Sequence, residues 1–467
     1  MSRKIAIIGA GADAVINLVQ LISHRDTLNS VYQDDEITWI RDCSHQVPNF
    51  GVQTNPIWVT TLAATTTVNS IDYYKRFDAV QKLGMKFVGI GNRRDSNFFV
   101  LFDPTELGMH FDEGKFVDFF WENIKNQHRN VNLVDKRVES VTFDDEGAYL
   151  DGVPYDFVID CVKGALWDKD AYKSSLFNPT DTKLTVNRKI PGDWDYTVHV
   201  ACEHGYLTGI PTQDAQTWIY SYDSGITTEE EAVEDFNKHC AVKKHCSYRK
   251  NETDHNVSEY MIHPNNKYAR SGRALGLNDD FTGLNSYSEA DAADALGEYL
   301  FFDQERPQSN FHRLEVEERW KETQLDQATG LAFFMQFGSQ YKSKFWEQSR
   351  IAACELLEDK EIHQHERSEV YDKLSKIPYH ENIRLDYFRR QLEDEKDLRT
   401  RMSADSEEPY KIIGNYQNFY QIAHGLGAPY ASKYPALSPM WDPPEKFGEI
   451  KLDPIFGGRF KKQHKKK

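Results

Sequence analysis

The sequence predicts an α/β protein: a nucleotide-type strand–turn–helix–strand unit at the N-terminus, a β-rich insertion, and a mainly helical C-terminal region. Three observations predict it. A β-branched run, KIAIIG, enters a G-x-G-x-x-A turn and a helix-like stretch, AVINLVQLISH. A second buried-strand pattern, FVIDC, occurs far downstream at residues 157–161. Residues 195–225 are β-rich, whereas residues 288–405 carry a charged helical pattern.

The N-terminal unit is the most specific. Gly9 makes the tight turn, Gly11 lets backbone approach a pyrophosphate, and Ala14 keeps the helix close to the sheet. The helix N-terminus then faces the phosphates. EITWIRD reads as the second strand. An acidic residue ordinarily ends that strand and binds the ribose hydroxyls. Arg41 holds the place here, with Asp42 beside it. Arg41 faces either a phosphate or solvent, and Asp42 takes the ribose if the strand runs one residue longer.

Residues 80–91, VQKLGMKFVGIG, read as one strand. Leu83, Met85 and Phe87 fall on one face, with Lys82, Gly84 and Lys86 on the other. Two readings follow: a lysine face in water, which the residue type favours, or a Lys82 that points into a cavity and does chemistry there. This window leaves both open. Residues 95–107 read as loop. GMHFDEGKFVDFFWENI reads as an amphipathic helix that Asp112 is placed to cap. Strand–turn–strand rhythm follows up to FVIDC, with Lys163 and Gly164 after it. The charges of residues 288–405, with His363, His365 and His380, read as solvated faces. From Pro429 prolines and glycines recur, as in an extended surface tail.

Hydrophobic residues are 39% and aromatics 13%, so the chain folds and is not disordered. The net charge of −17 argues against nucleic acid, which requires a basic surface. The one basic run, FKKQHKKK, reads as a solvated tail. No stretch is apolar enough to span a membrane, and no secretion signal is evident. Six scattered cysteines suit free thiols and a cytoplasmic setting. His239, Cys240, His245 and Cys246 cluster without a zinc-like spacing, so no metal is expected.

The order of these pieces is that of two-domain FAD enzymes, in which a substrate sheet is inserted into a dinucleotide fold. Five segments then resemble the flavin-dependent tryptophan halogenase family. GMHFDEGKF is similar to its G-Y-H-F-D segment, and YDFVIDCVKG to its strand ending I-D-C-S-G. GYLTGIPTQDAQTWIYSYDSGITTEEEA resembles its G-W-x-W-x-I-P segment. SQYKSKFWEQSR resembles a late Phe-Trp motif, and NFYQIAHGLGAPYASKYP its closing G-x-G-x-x-P stretch. The resemblance spans about residues 3–440, and its divergence suits a remote branch similar to cyanophage-type viral halogenases.

The resemblance implies an FAD-binding, Rossmann-like fold of the p-hydroxybenzoate hydroxylase type. It implies an FAD-binding unit at residues 1–290, with a substrate sheet interleaved at about 50–110 and 170–265. A helical substrate cover at 291–425 and an extended tail at 426–467 complete the expected division. In the family, reduced FAD and oxygen convert a halide ion into hypohalous acid, which travels to a lysine beside an aromatic substrate. QKLGMKF places Lys82 on that lysine, with Lys86 a structural or solvent-facing neighbour. A desolvated lysine loses its proton readily, which suits a haloamine; a retained proton suits a hydrogen bond to the hypohalous acid. Gly9, Gly11, Ala14, Arg41, Val138, Asp160 and Gly276 are the implied cofactor contacts. FADH2 would come from a separate NAD(P)H-dependent flavin reductase, because no second nucleotide-binding turn is present. A small aromatic substrate, no nucleic acid and no membrane are expected, with a homo-oligomer left open and a host-cytoplasm setting if the protein is viral.

Three departures bear on this. Tyr206 and Thr208 replace the family's tryptophans, whereas Ile210 and Pro211 remain in this flavin-side motif. In FTGLNSYSEADA, Asn285 or Ser286 takes the place of a glutamate near the halide, and amides around Tyr287 and Ser288 are candidate halide donors. Glu289 is close enough in sequence to substitute for that glutamate, or reads as a helix-starting cap or solvated residue. The flavin strap reads GVQTNPIW from Gly51 and lacks its glutamate. These losses suit easily oxidised bromide or iodide more than chloride. An aromatic monooxygenase and a non-catalytic binding protein with a decayed flavin site are the alternatives.

Overall fold

A computed structural model describes residues 2–358, apart from 28–29, 45–46, 48, 66–74, 92–96, 103–107, 145–146, 241–247, 253–255, 277–278 and 302–309. His363, His365, His380, the NFYQIAHGLGAPYASKYP segment and the expected tail lie outside the described residues.

The nucleotide-type unit is a five-stranded parallel sheet in the order β20 (Tyr268–Arg270), β12 (Phe157–Asp160), β1 (Lys4–Ile8), β2 (Glu36–Arg41) and β8 (Val131–Asp135). β1 and β12 are buried along almost their whole length, as strands covered on both faces must be. Helix α1 (Ala12–Arg25) is buried nearly all round, its apolar Val15, Leu18, Val19 and Ile22 together with the polar Asp13, Asn17 and Gln20. A later helix, α5 (Leu284–Phe301), closes over it; there Gly297 carries no side chain where one would strike the His24 ring.

The β-rich insertion forms a seven-stranded sheet. Its order is β18 (Arg249–Glu252), β14 (Thr182–Arg188), β17 (Gln216–Tyr222), β16 (Gly205–Pro211), β15 (Thr197–Ala201), β5 (Gly84–Val88) and β6 (Asn97–Leu101). A three-stranded antiparallel sheet, β3 (Gly51–Gln53), β7 (Gly108–Asp112) and β4 (Val80–Lys82), lies beside it. Smaller sheets pair β9 (Val141–Phe143), β10 (Ala148–Leu150) and β11 (Val153–Tyr155), and β13 (Tyr172–Ser174) with β19 (Asn256–Ser258). The remaining described helices are α2 (Pro56–Thr65), α3 (Glu113–Gln127), α4 (Glu229–Cys240), α6 (Asn310–Met335) and α7 (Lys344–Glu358).

The structure corrects four local readings. Residues 80–91 are two strands in two different sheets, broken at Leu83. The break is set by Gly84, where a Cβ would strike the Val100 carbonyl and stand 2.8 Å from Leu101 Cα. Residues 97–101, read as loop, form β6, recruited by antiparallel pairing with β5. GMHFD is a strand, and the helix begins only at Glu113; Asp112 does cap it, its Oδ1 accepting from Lys115 N at 2.9 Å. Glu289 does not start a helix, because α5 begins five residues earlier at Leu284.

Candidate active site

The turn after β1 opens a cleft of about 570 Å³, bordered by Gly9, Gly11, Asp42, Val138, Lys163 and Arg273. A Cβ on Gly9 would lie 2.9 Å from Cys161 Cβ and 3.1 Å from Ala14 Cβ, so glycine and alanine keep β1, β12 and α1 in close contact. Gly11 is the N-cap of α1 and offers no side chain to satisfy the first amides. Glu113 does so from α3, its Oε1 accepting from Ala12 N at 3.2 Å. The same oxygen pairs with Arg273, and Arg273 N donates to Asp13 Oδ2 at 2.9 Å. Burial pushes the Asp13 carboxyl above its ordinary range, against the pull of Arg273. The mouth of the cleft thus carries the N-terminal dipole of α1, with a guanidinium whose charge is balanced by Glu113 and Asp13 at the same turn.

At the end of β2 the two candidate residues face different ways. Arg41 turns off the cleft, its Nη2 2.7 Å from Asp118 Oδ1 and its guanidinium 5.7 Å from the Trp121 ring. Asp42 lines the cleft in its place. Asp160 does not face the cleft either. It is fully buried, accepting from Val162 N at 2.8 Å, Leu166 N at 2.6 Å and the Tyr268 hydroxyl at 2.6 Å. Its carboxylate organises the loop whose Cys161, Val162 and Leu166 form the wall. Gly276 lies at a second, small cavity of about 20 Å³, together with Asn285, Ser288 and Glu289.

Lys82 does not meet water: it is 1% exposed. Its Nζ donates to Gln53 Oε1 at 2.9 Å and stands 5.4 Å from the Phe102 ring centroid. A Cβ on Gly283 would lie 3.6 Å from that Nζ and 3.2 Å from Met85 Sδ. Gly283, at the start of α5, is therefore the residue of FTGLNSYSEADA brought against Lys82, two positions before Asn285. Asn285, Ser286, Tyr287 and Ser288 form the first turns of α5. That turn is held by α2: Trp58 Nε1 donates to Ser286 O at 2.5 Å. Lys86 is also buried, but it lies over the Phe99 and Tyr196 rings at 4.8 and 5.7 Å; this corrects its solvent-facing alternative.

Of the residues expected on the flavin side, Ile210 is brought against the segment expected to be the strap. Gly51 approaches Ile210, where a Cβ would lie 3.0 Å from Ile210 Cγ2, and Gly51 N donates to Thr217 Oγ1 at 2.7 Å. Pro211 ends β16 and packs against Gly192. Tyr206 is buried edge-on to Phe281, 4.8 Å between centroids.

Sequence reasoning missed Gln53, Thr197, His110, His199 and Arg273. Thr197 Oγ1 donates to Gln53 Oε1 at 2.7 Å, and His110 Nε2 lies 2.8 Å from Thr197 Oγ1. His199 Nδ1 lies 3.1 Å from Thr208 Oγ1. Burial, reinforced by the charge on Lys82, holds both imidazoles neutral, His110 well below the ordinary range and His199 down to about 3. The one available signal was strand periodicity: Thr197 and His199 sit two apart on β15 and so share a face. Among the described residues no cluster of three or more His, Cys, Asp or Glu is placed to hold a metal. His239 instead lies 3.6 Å from Asp235, and Cys240 is buried in the apolar core; His245 and Cys246 lie outside the described residues.

No protein-family model matches the chain, and no curated protein matches its sequence. Solved structures do. The tryptophan halogenase of Shewanella frigidimarina NCIMB 400 superposes with a TM-score of 0.69 at 15% identity, over 91% of this chain and 89% of that one. The tryptophan 6-halogenase SttH of Streptomyces toxytricini also gives 0.69 at 15% identity, over 96% and 95%. The apo structure of VirX1 gives 0.68 at 14% identity, over 80% and 84%. The chain therefore has the mixed α/β fold of the flavin-dependent halogenase structures, with no one branch singled out.

Proposed function

We propose that this protein is a flavin-dependent halogenase in which Lys82 directs the halogen onto a small aromatic ring. The observation that carries the reading is a lysine 1% exposed, held by a neutral acceptor and set against Gly283 at the start of α5. Arg273 borders the nucleotide cleft, and Gly283 follows ten residues later in sequence. A short stretch of chain thus joins the two places the chemistry requires. The five-stranded sheet is read as the cofactor unit and the seven-stranded sheet as the substrate floor.

FAD fits the cleft. Gly9, Gly11 and Ala14 would clear space for its pyrophosphate, the α1 N-terminus would supply the dipole, Arg273 could turn to the phosphates from its pairing with Glu113, and Asp42 and Val138 line the same cleft. When bound and reduced, FAD supplies the electrons by which oxygen and a halide become hypohalous acid. A separate NAD(P)H-dependent flavin reductase would deliver it. At the far end Lys82 donates a hydrogen bond to the oxygen of HOX and holds the halogen toward the ring. The ring attacks the halogen, the O–X bond breaks, the oxygen leaves as water and the ring loses its proton: ArH + HOX gives ArX + H2O. The neutral His110 and His199 keep the interior around Lys82 free of competing cations. Bromide and iodide, the more easily oxidised halides, are the expected donors.

The test supplies the full chain with FAD, a flavin reductase, NADH, oxygen and mixed halides, and reads indole and phenol products by mass. Halogen-mass products support the reading. Oxygen-mass products would replace it with a monooxygenase, and failure to bind FAD would replace it with a non-catalytic binding protein. A Gly9→Val variant, which crowds Cys161 and Ala14, is expected to lose the bound yellow cofactor.

A further inference from the structure

We propose that Gln53 is the positioning residue of Lys82, presenting a neutral and pre-oriented acceptor to its amino group. The proposal rests on Lys82 being the group that handles the halogen. Gln53 Oε1 accepts from two donors, Lys82 Nζ at 2.9 Å and Thr197 Oγ1 at 2.7 Å. Both neighbours are donors, so the amide oxygen, not its nitrogen, must face them. Thr197 has one proton and gives it to Gln53. Its oxygen therefore accepts from His110 Nε2 at 2.8 Å, which makes His110 the Nε2–H tautomer. The polarity of the chain is then set throughout: His110 to Thr197 to Gln53, with Lys82 meeting the same oxygen from the other side.

This arrangement is built into the sheets. Gln53 and His110 are direct cross-strand partners in β3 and β7, and Lys82 lies on β4, which pairs with the other edge of β7. Thr197 comes from β15 of the seven-stranded sheet. All four side chains are at most 3% exposed, so none turns to water for an alternative partner. The titratable groups whose electrostatics Lys82 perturbs are His110 from β7 and His199 from β15; Asp279 acts on His199 with the opposite sign. Phe102, and Gly283 with Met85, also stand against Lys82.

A carboxylate in the position of Gln53 would hold the proton on Lys82, whereas the amide orients the amino group without adding charge. The substitutions are Gln53→Glu, which adds the charge in the same shape, and Gln53→Met, which keeps volume and removes the acceptor. Two readouts are taken on the full chain: the pH profile of halogenation, and the titration of the Lys82 13Cε resonance, identified by its absence in Lys82→Met. Gln53→Glu is expected to raise the Lys82 midpoint and the alkaline limb of the profile by about one to two pH units. Gln53→Met is expected to lower kcat about 10- to 100-fold with KM for halide unchanged. A Lys82 midpoint unmoved by Gln53→Glu overturns the proposal. A shifted midpoint in a protein that never halogenates upholds the positioning by Gln53 and overturns the halogenase reading instead.

Discussion

Replacing Lys82 by Met separates a structural lysine from a functional one, because the two roles move stability in opposite directions. Met has nearly the same length and volume, so packing against Phe102, Met85 and Gly283 is retained. What is lost is the charged hydrogen bond to Gln53, about 1.5–3 kcal/mol. What is recovered is the desolvation penalty of a buried ammonium, of order several kcal/mol. Gln53 Oε1 keeps its second donor, Thr197, so no buried acceptor is stranded. Stability is therefore expected to hold or to rise by up to about 2 kcal/mol, a Tm increase of a few degrees. Halogenation is expected to fall by about 10²- to 10⁴-fold while FAD binding is unchanged. Removing the cation also relieves its repulsion of His110 and His199, so the variant is less sensitive to acid. Thermal unfolding and product mass on the same preparations make the comparison. A loss of stability with halogenation intact would refute the reasoning and return Lys82 to a structural role.

The buried histidines predict a pH dependence. Their folded-state pKa values lie below the ordinary 6.5 or so, so their stabilisation is complete above that pH and is lost as pH falls toward the folded value. Each histidine contributes at most about 1.4 kcal/mol per pH unit, so urea unfolding at pH 5 against pH 7 should show a loss of up to about 4 kcal/mol. Asp13 and Asp160, raised by burial, act with the opposite sign, so the comparison is made against His110→Gln and His199→Gln variants; a pH dependence unchanged in both variants would show that the imidazoles are not neutral in the fold. Gly84→Ala is expected to cost about 3 kcal/mol through collision with Val100 O and Leu101 Cα, measured by denaturant midpoint. Trp58→Phe, which removes the extra donor to the Ser286 carbonyl while the helix bond to that carbonyl remains, is expected to cost about 0.5–1.5 kcal/mol, measured by denaturant midpoint; a neutral result would detach α2 from the positioning of α5.

The nucleotide turn, EITWIRD and FVIDC were legible because their signals are local: glycine spacing and apolar runs report on a window of a few residues, and the window contains the physics. Where Arg41 and Asp42 point was not legible, because it depends on Asp118 and Trp121 of α3, which draw Arg41 away from the cleft. The same limit governs Lys82. Period-two reasoning across residues 80–91 assumes one strand, but β4 and β5 join different sheets, and that division is made by Val100 and Leu101 pressing on Gly84. Nor does any window contain Gln53, Lys82, His110 and Thr197 together, since the bonds among them span 29, 87 and 144 residues. The sequence by itself determined the α/β class, the glycine turn between β1 and α1 and the presence of a lysine worth testing. Only the tertiary structure decided that this lysine is buried, who holds it and in what polarity, because strand pairing, not local propensity, selects which distant side chains share one dry interior.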